Sequence, residues 1–286
     1  MPYRILADCH THTIYSRHAY STIQENIHAA AARGLELLGS TDHFGNMIYD
    51  GYDLRDYQFF INQGCWPRVW NGVVLLRGAE ADITDLTGRL FGEGVICPCN
   101  IVQSPYAEAR PLYDRVTAGL DYVVASVHNS DFAAHATATQ ATEMYIGALQ
   151  HPKVLILGHT GRSGVRYELD PVLTAARDLH KLIEINEHSI EKGPDSRHWG
   201  VCRAIAERCA ELGCGISVDT DAHIATDIGH TPRVLQMLEE IHFPEELIIN
   251  RNRASFLRNM AAAGLRDLTA YADGIGPDPD AAAHTA

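Results

Sequence analysis

With 286 residues, 46% of them hydrophobic, the chain carries enough apolar material for one large core and calls for no second domain. Its net charge of −13, from 36 acidic against 23 basic residues, argues against binding a nucleic acid mainly through its phosphates. No apolar run approaches the roughly 20 residues of a membrane span. The start, MPYRILADCH, lacks a leader pattern, and seven scattered cysteines read as reduced thiols, so the cytoplasm is the expected compartment.

Seven short apolar segments recur along the chain: Arg4–Ala7, Leu35–Gly39, Val73–Leu76, Tyr122–Ser126, Val154–Leu157, Leu182–Ile185 and Gly215–Val218. Most lack strict alternation, which suits parallel strands buried on both faces. Helical patterns lie between them. Ser21 is placed to cap a helix running to about Arg33, with Gln24 three residues on and Gly34 as the stop. Asp170-Pro171 opens a helix to about Lys181, Ser196 one to Leu212 stopped by Gly213, and Thr231-Pro232 a fourth. Strand alternating with helix predicts an α/β fold, as a closed or nearly closed barrel. An open doubly wound sheet is less favoured, because no glycine-rich phosphate loop follows the first strand. Two long connections, Phe44–Asn71 and Asp82–Asp121, are expected to cover the active-site face. The domain is expected over residues 1–265, with a tail over 266–286 that is disordered from Gly274.

The position of the polar residues is the informative feature. His10 and His12 follow the first apolar segment, Asp42 and His43 the second, Glu80 the third, His128 the fourth, His159 the fifth, and Asp221 and His223 the seventh. In a parallel barrel these strand ends converge on one face, where active sites form. His10 and His12 alternate, so both imidazoles point one way and can share an ion. Asp42 is expected to orient a histidine, and a carboxylate such as Glu80 can bridge two metals. Cys97-Pro98-Cys99 lacks a matching pair and is a weak zinc site. His28, His180 and His242 fall on or beside helices, His284 in the tail, and His135, His151, His188, His198 and His230 near helix ends or in loops; none is expected as a ligand. Nitrogen and oxygen donors in this number imply two or three divalent ions (zinc, manganese or iron), which favours hydrolysis of a phosphate ester.

At these residues the sequence resembles the PHP (polymerase and histidinol phosphatase) superfamily, and is most similar to its small stand-alone bacterial phosphatases. The motifs are Asp8-Cys9-His10-Thr11-His12 with His18, Ser40-Thr41-Asp42-His43, Gly78-Ala79-Glu80, His128, Gly158-His159 and Asp219-Thr220-Asp221-Ala222-His223, within a resemblance from about Tyr3 to about Leu265. The resemblance implies a distorted (β/α)7 barrel with a trinuclear metal centre. One metal would bind His10, His12, Glu80 and Asp221; a second Glu80, His128 and His159; a third His18, His43 and His223. The sixth strand supplies no ligand in that pattern, leaving Asn186 and Glu187 as pocket-lining residues. Thr87–Arg115 looks longer than in compact relatives and is expected over the pocket mouth. Arg17 and Arg162 adjoin the ligand loops and suit phosphate oxygens, with Lys192 and Arg197 as weaker candidates.

The expected activity is hydrolysis of small phosphomonoesters, with a metal-bound hydroxide attacking phosphorus in line. Glu80, Asp221, Arg17 and Arg162 are the residues expected to act. The expected partner is a small phosphorylated substrate, without nucleic acid or membrane, and homo-oligomerisation stays open. Phosphodiester or exonuclease chemistry, an amidohydrolase-like reaction, or a non-catalytic metal-binding module remain as alternatives.

Overall fold

The computed structural model describes residues 3–49 and 51–274. Seven strands form one parallel sheet in sequential order: β1 (Ala7–Thr11), β2 (Leu37–Ser40), β3 (Val73–Asp82), β4 (Tyr122–Ser126), β5 (Val154–Leu157), β6 (Leu182–Asn186) and β7 (Ile216–Asp219). The main helices are α1 (Ile23–Ala32), α2 (Ala138–Gln150), α3 (Leu169–Asp178), α4 (Trp199–Leu212), α5 (Pro232–Glu240) and α6 (Arg253–Ala262). This is the α/β barrel that the alternation of segments predicts. No helix among the described residues is long and apolar enough to cross a membrane.

The barrel closes without a continuous β7–β1 ladder. Near the rim, His12 N donates to Ala222 O and Asp221 N to His10 O, both at 2.9 Å. Lower down, the Asn250 amide fills the seam: Nδ2 donates to Ala7 O at 2.9 Å and Val218 O at 2.7 Å, while Oδ1 accepts from Val218 N. One buried side chain thus satisfies strand groups that the missing ladder would leave unpaired.

Strand residues alternate between two cores. Val74 and Leu76 of β3 belong to the interior cluster with Tyr122, Phe256 and Met260, whereas Val73 and Leu75 pack against Ile27 and Ala30 of α1. The Tyr122 hydroxyl crosses the interior and donates to Cys9 O. Gly39 makes that possible, since a Cβ there would come within 2.0 Å of the hydroxyl oxygen. Of the expected tail, Leu268, Tyr271 and Ala272 are buried, two of them in the interior cluster; residues 275–286 lie outside the described residues.

Several boundaries differ from those read in the sequence. Strand β1 begins at Ala7 rather than Arg4, and β3 runs on through Asp82, so His10 and Glu80 lie within strands rather than after them. Their polarity disguised buried strand as loop. Helix α1 is capped by Thr22 in a capping box with Glu25, not by Ser21 with Gln24; the Ser21 hydroxyl instead accepts from Ala225 N. Thr87–Arg115, expected over the pocket mouth, contributes no residue to the lining of the cavity at the histidines. Gly88 is pressed against the Gly147 turn of α2, Leu90 and Phe91 are buried, and Ile96–Cys99 pairs with Pro105–Pro111 in a separate antiparallel ribbon.

At the opposite end of the barrel from the histidines, Arg68 and Asp121 form an ion pair with both side chains fully buried. Arg68 also donates to Leu75 O at 3.0 Å, and Asp121 accepts from Arg77 N at 2.8 Å. Removing one partner strands a desolvated charge. Arg68→Ala is therefore expected to cost about 3–5 kcal/mol of stability, read as a lowered urea midpoint; a shift worth under about 1 kcal/mol would contradict this role.

Candidate metal centre

The rim of the barrel gathers the predicted ligands. His10 and His12 of the first strand and its extension are fully buried, and both turn Nε2 toward Glu80 and Asp221, on one side of the chain as their spacing predicts. Glu80, also fully buried, sits at the centre: imidazole nitrogens of His43, His159, His128, His10 and His12 approach its carboxylate at 2.7, 2.8, 3.2, 3.3 and 3.5 Å. Asp221 Oδ1 lies 3.0 Å from His12 Nε2 and 3.7 Å from His10 Nε2. At the outer edge His18 Nε2 meets His43 Nε2 at 3.2 Å and His223 Nε2 at 3.0 Å. Ligand atoms within 4.8 Å of one another form the groups His10–His12–Asp221, His43–Glu80–His128 and His12–His43–His223.

The far side of each ring explains what these contacts mean. His10 Nδ1 lies 2.8 Å from Glu184 Oε1, and His128 Nδ1 lies 2.6 Å from Asp82 Oδ1. His223 Nδ1 lies 2.8 Å from Asp221 O. His12 Nδ1 lies 3.1 Å from Ser16 Oγ, whose proton goes to Asp42 Oδ1 at 2.7 Å. In each neutral ring the single N–H is drawn to Nδ1 by an acceptor, so Nε2 is left as a lone pair. These lone pairs face carboxylate oxygens and one another. Acceptor facing acceptor is repulsive unless a cation or proton lies between. His10 Nε2, His12 Nε2, His128 Nε2, Glu80 Oε2 and Asp221 Oδ1 are all buried without a hydrogen-bond partner. This donor set fits divalent metal ions of the zinc, manganese or iron type.

The electrostatics agree. Burial opposes charge on Glu80, but His128, His10 and His43 outweigh it and hold the carboxyl well below its usual range. Asp221 is likewise held down by His10 and His12 against burial. Burial also opposes charge on His128, yet Glu80 and Asp82 push it up to about 10. His223 is pushed down to about 4, chiefly by burial. Glu80 and Asp221 stay ionised, and His10 and His128 favour a proton where no other cation balances those carboxylates.

Backbone strain accompanies the site. Asp221 and His159 take left-handed conformations, φ 57° and 29°, in residues without a glycine's freedom. The His159 amide is held by Glu184 Oε2 at 2.6 Å, so Glu184 positions two predicted ligands at once. Asp82 does the same for His128, and Gly45 is required beside it, because a Cβ there would lie 2.0 Å from Asp82 Oδ2. Neither positioning role was legible in the sequence. The available signal was strand alternation: Glu80 and Asp82 are two apart on β3, and Glu184 and Asn186 two apart on β6.

The remaining candidates fall differently. Arg162 reaches the site and donates to Asp221 Oδ2 at 2.9 Å. Arg17 ends a short turn at φ 63°, which swings its guanidinium over the Tyr49 ring, 4.2 Å from the centroid. Asn186 and Glu187 serve as helix caps: Asn186 Oδ1 accepts from Ser189 N, and Glu187 from Arg233 N and Val234 N. Asn186 Nδ2 is buried without a partner. A cavity of about 300 Å³ opens onto the cluster, with Met47, Arg162 and His188 among its walls. His188 thus borders the site although the sequence placed it outside the ligands. His28, His135, His180, His230 and His242 are exposed, as expected of residues with no part in the cluster.

The PHP domain family matches residues 8–191. A probable phosphatase of Caldanaerobacter subterraneus subsp. tengcongensis is 34% identical over 253 residues, covering 87% of this chain and 89% of that one. A probable phosphatase of Clostridium botulinum is 35% identical over 266 residues, covering 93% and 98%. Among solved structures, histidinol phosphate phosphatase from Lactococcus lactis subsp. lactis, complexed with zinc, L-histidinol and phosphate, superposes with a TM-score of 0.51 at 19% identity, covering 83% of this chain and 94% of that chain; at this distance the likeness is one of fold. With a family match across most of the barrel and relatives above 30% identity along nearly its whole length, the chain belongs to the PHP domain family.

Proposed function

We propose that the protein is a metal-dependent phosphatase that hydrolyses small phosphomonoesters at a centre holding up to three divalent ions. The observation that carries this reading is the convergence of imidazole lone pairs and ionised carboxylates with nothing to donate between them. Relatives named as probable phosphatases support phosphate esters as the substrate class. In the reading favoured here His10, His12, Glu80 and Asp221 hold one ion, Glu80, His128 and His159 a second, and His18, His43 and His223 a third. The meeting of three Nε2 atoms at His18 supports the third group. His43 also lies 2.7 Å from Glu80, which lets it serve either of two neighbouring ions.

Bound divalent ions would activate water near neutral pH and offset phosphoryl charge. The chain's own groups do the rest. Glu184, Asp82 and the Asp42–Ser16 pair fix the His10, His128 and His12 rings so that Nε2 faces inward, which orients these ligands before any ion arrives. Arg162, tied to Asp221, stands at the cavity wall where a planar guanidinium can take two phosphate oxygens. Arg17 can reach the same phosphate only by leaving Tyr49.

Chelation should reduce phosphomonoesterase activity to background, and zinc or manganese should restore it; turnover indifferent to strong chelators would overturn the proposal. His10→Ala should lose metal and activity together, measured by elemental analysis beside an assay on 4-nitrophenyl phosphate. Asp82→Asn or Glu184→Gln should weaken metal affinity about 10–100-fold while the fold survives, measured by competition with a chromophoric chelator. Because His10 and His128 are pushed up when no ion is present, ion entry must displace protons. Metal loading should therefore weaken as pH falls, and loading at neutral pH should release protons in a buffer-dependent calorimetric signal.

A further inference from the structure

The cavity at the ligand cluster does not end there. It shares Arg162 and His188 with a second cavity of about 390 Å³, which in turn shares Arg197 and His198 with a third of about 580 Å³. The three cavities therefore follow one another outward from the cluster, along the loop after β5 and the start of α4, with side chains shared between neighbours.

The charge along this path changes. The second cavity is mixed, with Lys192 set against Glu191 and Asp195. The third carries Arg166 and Arg197 and no carboxylate in its wall, and its remaining surface includes Val165, Tyr167, Leu169 and Val201. Val201 is 50% exposed, an aliphatic wall without cover. Some arginines elsewhere find acids, as Arg208 does with Asp170, Arg203 with Glu207 and Arg258 with Asp273, while Arg33 and Arg251 donate to backbone carbonyls. Arg166 has no ion pair among the described residues, and Arg197 donates only to the His198 ring, at 2.9 Å. In a chain of net charge −13, two guanidinium groups without an acid beside an apolar wall make a recess suited to an anion on an apolar body.

We propose that the substrate's leaving alcohol carries a second anionic group, a carboxylate or a phosphate, on an apolar body, and that Arg166 and Arg197 hold that group while the phosphate to be cleaved sits at the ligand cluster. The inference rests on the phosphomonoesterase reading and narrows it from phosphate esters at large to dianionic-ended ones. Hydrolysis adds water across the P–O bond, releasing inorganic phosphate and the alcohol, which keeps its second anion.

The test uses the metal-loaded enzyme and three series of graded chain length: monoalkyl phosphates, ω-carboxyalkyl phosphates and alkane-1,ω-diyl bisphosphates. At the length that spans the path, a second anion should raise kcat/KM about tenfold or more, mainly through KM. The carboxylate and bisphosphate series reveal which anion is preferred, after correction for the two equivalent ends of a bisphosphate. In Arg166→Ala the ratio of ω-carboxyalkyl to monoalkyl kcat/KM should fall towards one; a ratio within one sample is insensitive to partial misfolding. Equal turnover of all three series at every length, or an unchanged ratio in Arg166→Ala, overturns the proposal. Failure to turn over any series with metals bound would instead sink the phosphomonoesterase reading, and this inference with it.

Discussion

Glu80 is the constraint on which the rest of the rim depends. A fully buried carboxylate with five imidazole nitrogens around it is stable only if positive charge is present among them. Protons can supply that charge, and the upward pressure on His10 and His128 is the sign of it. Metal ions supply it better, because they satisfy several lone pairs at once. Folding and metal binding are therefore linked through one residue, set near the C-terminal end of the longest strand.

The barrel's construction serves that residue. Strand β3 runs past the end of β2 and level with the end of β4, so it carries Glu80 into the centre and Asp82 to the far nitrogen of His128. Strand β6 contributes no predicted ligand, yet Glu184 fixes the His10 ring and the strained His159 backbone together. Asp42, buried among Thr13 and Ser16 donors, secures the tautomer of His12 through a hydroxyl. The positioning shell is thus as elaborate as the ligand shell, and each partner lies on a strand or a strand-end turn rather than on a mobile loop.

The same economy closes the barrel. The left-handed turn at Asp221 pairs its amide with His10 O, so the backbone bridge that seals β7 to β1 also brings Asp221 against His10 and His12. Below it Asn250, far along the chain, completes the seam where strand pairing stops. Sealing the sheet and assembling the ligands are one geometric event.

The chain by itself determined the seven-fold alternation, the convergence of polar residues at the strand ends, and the exclusion of most remaining histidines from the cluster. Those follow from periodicities of one strand or helix, which a linear sequence carries directly. Tertiary structure alone decided the partners across the barrel: Glu184 for His10, Asp82 for His128, Tyr49 for Arg17, and the arginine-lined recess beyond Arg162. Each depends on where two distant strands or loops meet in space. Buried polar residues also hid the true strand ends, because His10 and Glu80 look like loop until their charge is seen to be satisfied by residues elsewhere in the chain.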